Sequence, residues 1–332
     1  MKDKKKKVLI LRLGAIGDVV HTTIIAEAIK QKHPNYEVHY MTERTIAPLL
    51  KNNPYIDKIY MWDRDKKDSF RYYIDFQKKL LKERYDIIFN LTNAIRNDLY
   101  AYLSFPKKVV HKKMKCGLWV EDYFKTAQTV IKDIELPERL YLGVDEKLDK
   151  NIKEYLDAYP KPHIMIVPGG GTNNNRQGRV WNIDNWKQLN DMLLKEYGGT
   201  IFTIGSKKER QLHETLKREG VIICTGEHKL AESSALLSHA DLVVSGDTGP
   251  LHIASAHNVP TLALLGSTSP DKIKPYGKNG HYISGEGECK YCWKKKCTYL
   301  GQESTYTPCM ETISPWMVMD KIIKMKLLNC NG

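Results

Sequence analysis

Ser245-Gly-Asp-Thr-Gly-Pro-Leu-His-Ile-Ala-Ser-Ala-His257 follows directly on the apolar run Asp241-Leu-Val-Val244. A short apolar run bounded by turn residues reads as a buried strand. Pro250 fits the first turn of a helix, where its missing N–H costs no intrahelical bond. That helix runs through Ala256 and ends before Pro260, so Asp247, Thr248 and Gly249 occupy a strand-to-helix turn. The free N–H groups and positive end of such a helix suit a phosphate or diphosphate. In an open α/β sheet the turn also lies at the carboxyl edge of the strands, where ligands bind. An ordinary capped helix, with Asp247 or Thr248 as N-cap, would leave the same pattern. The rest of the chain has to decide between them.

Outward from this turn the pattern repeats. Ile164–Val167, Thr200–Ile204, Val221–Cys224 and Thr261–Leu265 read as strands, separated by helical stretches at Asp184–Tyr197, Lys207–Glu219 and Ala231–Ser238. The first half has the same rhythm. Val8–Leu13 is apolar except for Arg12, the turn Gly14-Ala-Ile-Gly-Asp18 follows, and a helix runs to about Lys32. Glu37–Met41, Ile56–Trp62 and Asp86–Asn90 are further strands, with helices at Thr45–Leu50 and Ser69–Arg84, while 107–124 reads as a loop followed by a helix. Strands alternating with helices predict parallel sheets covered on both faces. The opening turn lacks the G-x-G-x-x-G glycines of dinucleotide folds and carries Asp18 at its mouth instead. A helical stretch over Asp145–Tyr159 ends in Tyr-Pro-Lys-Pro162, a linker signal that divides the chain near residue 160.

Composition narrows the class. The 332 residues are 42% hydrophobic and 27% charged, enough for two globular domains. No apolar run approaches the roughly 20 residues of a membrane span, and Val8–Leu11 is too short for a signal-peptide core. A cytoplasmic protein is expected. The net charge of +13 gathers at Lys4–Lys7, Lys107–Lys115 and Lys290–Lys296. Such patches suit polyanions: nucleic acid, an anionic membrane surface or a phosphorylated glycolipid.

Between the Ile164–Val167 strand and the next helix lies Pro168-Gly-Gly-Gly-Thr-Asn-Asn-Asn-Arg-Gln-Gly-Arg-Val-Trp181. Three consecutive glycines let backbone approach a ligand closely, and Arg176 and Arg179 could make charge-assisted contacts to a diphosphate. A flexible surface loop would explain the glycines and asparagines, but not Trp181 after the arginine.

With these residues assembled, the chain resembles glycosyltransferase family 9, the heptosyltransferases of lipopolysaccharide core synthesis. The matching segments are Leu11-Arg-Leu-Gly-Ala-Ile-Gly-Asp-Val-Val-His-Thr22, Pro168-Gly-Gly-Gly with Arg179-x-Trp181, and Ser245–Ala256. Gly-Ser-Thr-Ser-Pro at 266–270 and Cys309-Met-x-x-Ile-x-Pro-x-x-Val318 complete the set, all in order along the chain. The resemblance implies a GT-B architecture of two Rossmann-like parallel-sheet domains facing a central cleft. Its divisions here would be an acceptor-side domain over 1–160, a donor-binding domain over 161–312, and a helix over 313–332 that packs back on the first domain. It implies Asp18 as catalytic base, and donor binding by Thr172, Arg179, Glu209, Asp247, Thr248, Gly249 and His252. The acceptor-binding residues are left unnamed. The activity implied is inverting, metal-independent transfer of heptose from ADP-heptose to an anionic, lipid-linked core oligosaccharide of lipopolysaccharide or lipooligosaccharide. In such a reaction a carboxylate takes the acceptor proton, while an arginine and a helix N-terminus stabilise the departing diphosphate.

Two features stand beside this scheme. Cys289-x2-Cys292-x4-Cys297-x11-Cys309 has the spacing of a structural zinc or iron site; related protein heptosyltransferases with a similar cluster bind iron, and no cofactor is expected for catalysis. Lys107, Lys108, Lys112, Lys113 and Lys115 are expected to hold the enzyme peripherally on the inner leaflet. The alternatives are a GT-B transferase for another nucleotide sugar, a nucleic-acid-binding protein, and a non-catalytic scaffold. The lysines are dispersed and no nucleic-acid motif accompanies them, so no nucleic-acid partner is expected. Intact Asp18 and Asp247 weigh against a scaffold.

Overall fold

The computed structural model describes residues 5–67, 69–92, 95–112, 117–169, 177–289, 291–294, 296–299 and 306–328. Two compact units divide the chain between Gly143 and Val144. The first contains strands β1 (Lys7–Leu11), β2 (Glu37–Glu43), β3 (Lys58–Trp62), β4 (Ile87–Asn90) and β5 (Lys108–His111). Its helices are α1 (Ile16–Lys32), α2 (Phe70–Glu83), α3 (Ile95–Tyr102) and α4 (Trp119–Gln128). The second opens with α5 (Glu146–Leu156) and continues through β6 (His163–Val167), α6 (Ile183–Tyr197), β7 (Thr200–Thr203), α7 (Arg210–Glu214) and β8 (Val221–Ile223). It goes on with α8 (Leu230–Ser238), β9 (Leu242–Gly246), α9 (Gly249–Ala256), β10 (Thr261–Leu265), α10 (Pro270–Ile273), β11 (Gly280–Ser284), α11 (Pro308–Glu311) and α12 (Pro315–Lys324).

Every strand pairing is parallel. The first sheet runs β3-β2-β1-β4-β5 and the second β11-β10-β9-β6-β7-β8. Each is wound outward in both directions from a central pair, β1 with β4 and β6 with β9. At such a pair the connections leave to opposite sides and open a crevice at the carboxyl edge.

Burial follows the apolar pattern. β1, β6, β9 and β10 are almost fully buried, as strands covered on both faces must be. Every residue of α1 from Val19 to Ile29 is buried, which marks a helix enclosed by sheet and neighbours; α4 packs against it. In the second unit Ile164, Ile166, Leu242, Val244, Leu262 and Leu264 share a core with Trp186, Leu189 and Leu193 of α6 and with Val318, Met319 and Ile322 of α12.

Four expectations are corrected. The prolines at 160 and 162 end α5 and start β6 rather than link domains, because α5 packs against α8 of its own unit. α12 packs on α6 and belongs to the second unit rather than forming a division of its own: its three buried apolar side chains, each worth about 1.5–3 kcal/mol, join the second core. The basic stretch expected as loop contains β5, an edge strand paired with β4; Val109 and Val110 are too short a run between lysines to show periodicity. The helix expected over 207–219 shrinks to a 3-10 turn and α7. Among the described residues no helix is long and apolar enough to cross a membrane.

Glu27 sits in the buried face of α1, 5% exposed, with Gln31 donating to its Oε1 at 3.1 Å. Burial pushes its carboxyl up to about 7, with the charge of Arg139 working in the opposite direction. The folded state therefore holds a proton that the unfolded chain has released above about pH 4.5. That contribution to stability is complete below the unfolded value and is lost as pH rises through 7. Glu27→Gln should raise the urea midpoint at pH 8, by an amount equivalent to roughly 1–3 kcal/mol. Near pH 4.5 the variant should unfold with wild type, and a difference that does not change with pH would contradict this assignment.

Candidate functional site

Two clusters form, one at the central strand pair of each sheet. In the second unit, the loop leaving β6 and the turn leaving β9 meet at the carboxyl edge. Trp181, 2% exposed, anchors the first of these loops: its indole N–H donates to the Ile313 carbonyl at 2.8 Å, and its ring packs edge-on against Trp186. Two residues earlier, Arg179 is delivered to the sheet edge. Its backbone carbonyl lies so close to Gly246 that a Cβ there would come within 2.5 Å; only glycine allows this approach.

The Arg179 guanidinium meets the Asp247 carboxylate at 2.6 Å and donates to the Asp247 carbonyl at 3.2 Å. Both side chains are largely sheltered, at 15% and 6% exposure. His252, buried on α9, brings Nε2 to 3.4 Å from the other Asp247 oxygen. The carboxylate thus sits between a guanidinium and an imidazole. Thr248 is the N-cap residue of α9 but makes no side-chain cap. Its hydroxyl is within 2.8 Å of the Ser245 hydroxyl instead. The first turn of α9 thus takes no cap from the Thr248 side chain, and Pro250 within it has no N–H that needs one.

Glu209 joins from the loop after β7. Its Oε2 accepts from the Ser206 N–H at 2.8 Å and hydroxyl at 2.7 Å. Its other oxygen lies where a Cβ on Gly169 would be, 1.9 Å away, so the glycine admits Glu209 to the β6 loop. Arg179, Glu209, Asp247 and Thr248, with Gly249 and His252 at the start of α9, thus stand at one sheet edge. Thr172 and Arg176 lie outside the described residues.

In the first unit Asp18 stands on the opening turn of α1, beside β1 and β4. Its two carboxylate oxygens are held by different elements. Arg12, at the end of β1, pairs with Oδ2 and also donates to the Leu91 carbonyl beyond β4. Tyr123 of α4 donates to Oδ1 at 3.0 Å. Burial, then the Asp18 charge, push the Tyr123 phenol far above its ordinary value, which keeps it a donor. Arg12 was legible as the one polar residue in an apolar strand. Tyr123 was not, because it arrives from a helix 105 residues away in sequence. His21 is buried at 2% exposure and belongs to the interior.

The described lysines of the basic segment, Lys107, Lys108 and Lys112, have different surroundings. Lys107 precedes β5 and pairs with Asp86 at 2.5 Å; Lys112 follows β5, half-buried, over the rings of Trp119 and Tyr123. Four residues of strand, roughly 13 Å at the usual rise, separate the two ends, and only Lys108 is exposed between them without a carboxylate within ion-pair distance among the described residues. Lys113 and Lys115 lie outside the described residues.

Cys289, Cys292 and Cys297 are half-buried and Cys309 buried. Burial first, then the neighbouring thiols, push Cys309 and Cys289 up, so the four share one locality. Tighter groups of metal-type side chains, with ligand atoms within 4.8 Å of one another, occur among the described residues at Cys224, Glu227 and His228, and at Glu37, His39 and Glu83. Arg210 already holds Glu227 at 2.9 Å, and Lys7, Lys58 and Tyr60 hold Glu83. The four cysteines are not gathered that closely.

The chain is similar to known proteins over most of its length. The sequence model of glycosyltransferase family 9 (heptosyltransferase) matches residues 96–302. The lipopolysaccharide core heptosyltransferase OpsX of Haemophilus influenzae is 24% identical over 301 residues, covering 84% of each chain. A glycosyltransferase family 9 structure from Veillonella parvula superposes with a TM-score of 0.82 at 18% identity, covering 98% of both chains. The E. coli ADP-heptose LPS heptosyltransferase II structure gives 0.77 at 18% identity, covering 97% of this chain and 98% of that one. The fold is that of the GT-B heptosyltransferases, with two parallel-sheet α/β domains. This chain belongs to glycosyltransferase family 9 and is a glycosyltransferase.

Proposed function

We propose that the chain transfers heptose from ADP-heptose to a lipid-linked core oligosaccharide in lipopolysaccharide or lipooligosaccharide synthesis, with inversion at the anomeric carbon. Family membership and relatives named for this transfer support the reading. The observation that carries it is Asp18, held at the first sheet's central crevice by Arg12 and Tyr123 from either side. A carboxylate fixed at both oxygens keeps its remaining lone pairs in set directions, as a positioned base requires.

In this reading the first unit binds the acceptor and the second the donor. Asp18 takes the proton of the acceptor hydroxyl as its oxygen attacks the anomeric carbon. The bond from that carbon to the diphosphate oxygen breaks, and ADP leaves with the electron pair. Arg179, oriented by Asp247, and the start of α9 at Gly249 stabilise the charge on the departing diphosphate. His252 positions Asp247, while Thr248, Glu209 and Thr172 complete the donor site. Attack from the side opposite the leaving group inverts the centre. Because cation and helix terminus supply the electrostatics, no step is assigned to a metal. The enzyme works in the cytoplasm at the inner leaflet, where a lipid-linked acceptor is presented.

The four cysteines offer soft donors of the kind that hold structural zinc or iron. Such an ion would brace the segment leading into α11, whose Tyr291 and Trp293 N–H groups donate to the Gly266 and Ser267 carbonyls.

Three measurements test these assignments. Asp18→Asn should lower turnover by roughly a hundredfold or more while leaving ADP affinity close to wild type; retained turnover rules the base out. Arg179→Met should weaken ADP binding by roughly ten- to a hundredfold, the worth of a charge-assisted contact. If it instead leaves ADP binding intact, Arg179 serves the fold alone. Elemental analysis of protein prepared without a histidine tag should find about one zinc or iron per chain, and a ratio near zero removes the metal.

A further inference from the structure

The first unit carries apolar side chains that its core does not use. Phe76 and Leu80 of α2 and Tyr100 and Ala101 of α3 turn inward to the core. The two helices are joined there, the Gln77 amide donating to the Ser104 hydroxyl at 3.0 Å. Past that join Leu81, Leu99, Tyr102, Leu103 and Phe105 stand exposed. Leu99, Tyr102 and Leu103 have the i, i+3, i+4 spacing of one helix face, and Leu81 lines a groove with Ser104 and Phe105. Single exposed apolar residues are ordinary, but a contiguous set marks a surface that meets something. Phe105 makes the case most plainly. It is 75% exposed, and its φ of 45° lies in the left-handed region, which costs free energy for a bulky side chain. Neither burial nor backbone preference explains an aromatic residue there.

The rim of this patch is basic. Lys82 and Arg84 line the same groove as Phe105, and Lys107 and Lys108 follow it into β5, all four exposed. The nearby carboxylates are engaged: Glu83 with Lys7 and Lys58, Asp86 with Lys107, and Asp98 with Asn90 and His111. Among the described residues Lys82, Arg84 and Lys108 have no carboxylate within ion-pair distance. Leucine and aromatic side chains ringed by such cations match an anionic bilayer: the apolar groups enter the headgroup boundary while the cations reach the phosphates. A second copy fits the patch badly, because like would meet like and bring the basic rims together. Nucleic acid would answer the cations and leave the leucines unmatched.

We propose that the outer ends of α2 and α3, with the turn at Phe105, form the surface by which the first unit lies on an anionic lipid bilayer. Leu103 and Phe105 insert, and Lys82 and Arg84 supply the attraction to charged headgroups. This rests on the transfer reading above for why a bilayer is at hand, but not for the chemistry of the surface itself. α3 starts at the carboxyl edge that carries Asp18 and ends before β5, so the patch runs along the side of the unit and leaves the crevice open.

The test is co-sedimentation of the full chain with vesicles of phosphatidylethanolamine and phosphatidylglycerol, and with vesicles of phosphatidylcholine alone. Wild type should bind the anionic vesicles well above the neutral ones, and less as salt is raised. Phe105→Asn should bind the anionic vesicles roughly tenfold less. It should also melt no lower than wild type, because asparagine tolerates the left-handed backbone better than phenylalanine does; a residue serving the fold would lower the melting temperature instead. Lys82→Glu combined with Arg84→Glu should lose roughly tenfold or more. Trp316→Ser and Lys217→Glu, at exposed positions of the second unit, should bind as wild type. Leu103→Ser replaces the Phe105 variant if that one does not fold. The proposal is overturned if wild type binds neither kind of vesicle or both equally, if either the Phe105 variant or the double reversal binds as wild type, or if the second-unit variants lose as much. It is equally overturned if wild type sediments as a dimer and Phe105→Asn as a monomer, which makes the patch a contact between copies. Turnover is read separately with ADP-heptose and an acceptor in detergent micelles. Wild type that binds anionic vesicles through this surface without transferring heptose refutes the transfer reading and leaves the surface standing.

Discussion

A parallel sheet covered by helices on both faces leaves one place for a ligand to meet backbone. That place is the carboxyl edge, where strands stop and helices begin. The constraint acts twice in this chain. β1 with β4 and β6 with β9 are the pairs from which each sheet is wound outward, and the polar residues of interest leave these pairs or their neighbours. Arg12 and Asp18 follow β1; Arg179 follows β6; Asp247 and Thr248 follow β9. Helix burial enforces the geometry. α1 is enclosed along eleven consecutive residues, so its first turn cannot shift without disturbing the core of its unit.

The two edges handle charge differently. In the second unit Asp247 is a structural anion, held by Arg179 and His252 so that the guanidinium stays in place before any ligand arrives. Under the proposed transfer, preorganisation of this kind would spare the reaction the cost of gathering a flexible arginine. In the first unit Arg12 and Tyr123 each hold one oxygen of Asp18 and so set the direction of its carboxylate. A phenol kept protonated by burial is well suited to this, because it donates without adding charge.

The sequence revealed the βα rhythm, the two turns and Arg179, because apolar runs, glycines and a proline at a helix start leave local signals. It did not reveal what depends on distant pairing. Tyr123 reaches Asp18 across 105 residues and the Trp181 indole reaches Ile313 across 132, separations that no periodicity encodes. β5 was hidden because its only apolar residues, Val109 and Val110, point to opposite faces and show no alternation. The domain boundary was misplaced because prolines mark the ends of elements, whereas unit membership is decided by packing, here that of α5 on α8. The lysines of 107–115 look alike in the sequence, and the three that the structure describes differ in the fold: Lys107 is tied to Asp86, Lys108 is exposed, and Lys112 lies over two aromatic rings.

The bond from Trp181 to the Ile313 carbonyl bears on the order in which the protein can be made. Units generally fold as they leave the ribosome, earlier ones first. The first unit, closed by Gly143, can assemble its crevice while the second is still being translated. The Arg179 loop cannot reach its final position so early. Its anchor waits for Ile313, and the core beneath it waits for Val318, Met319 and Ile322. The arginine is therefore translated long before it is locked in place, and the nascent chain acquires its two crevices in sequence, the one bearing Asp18 first.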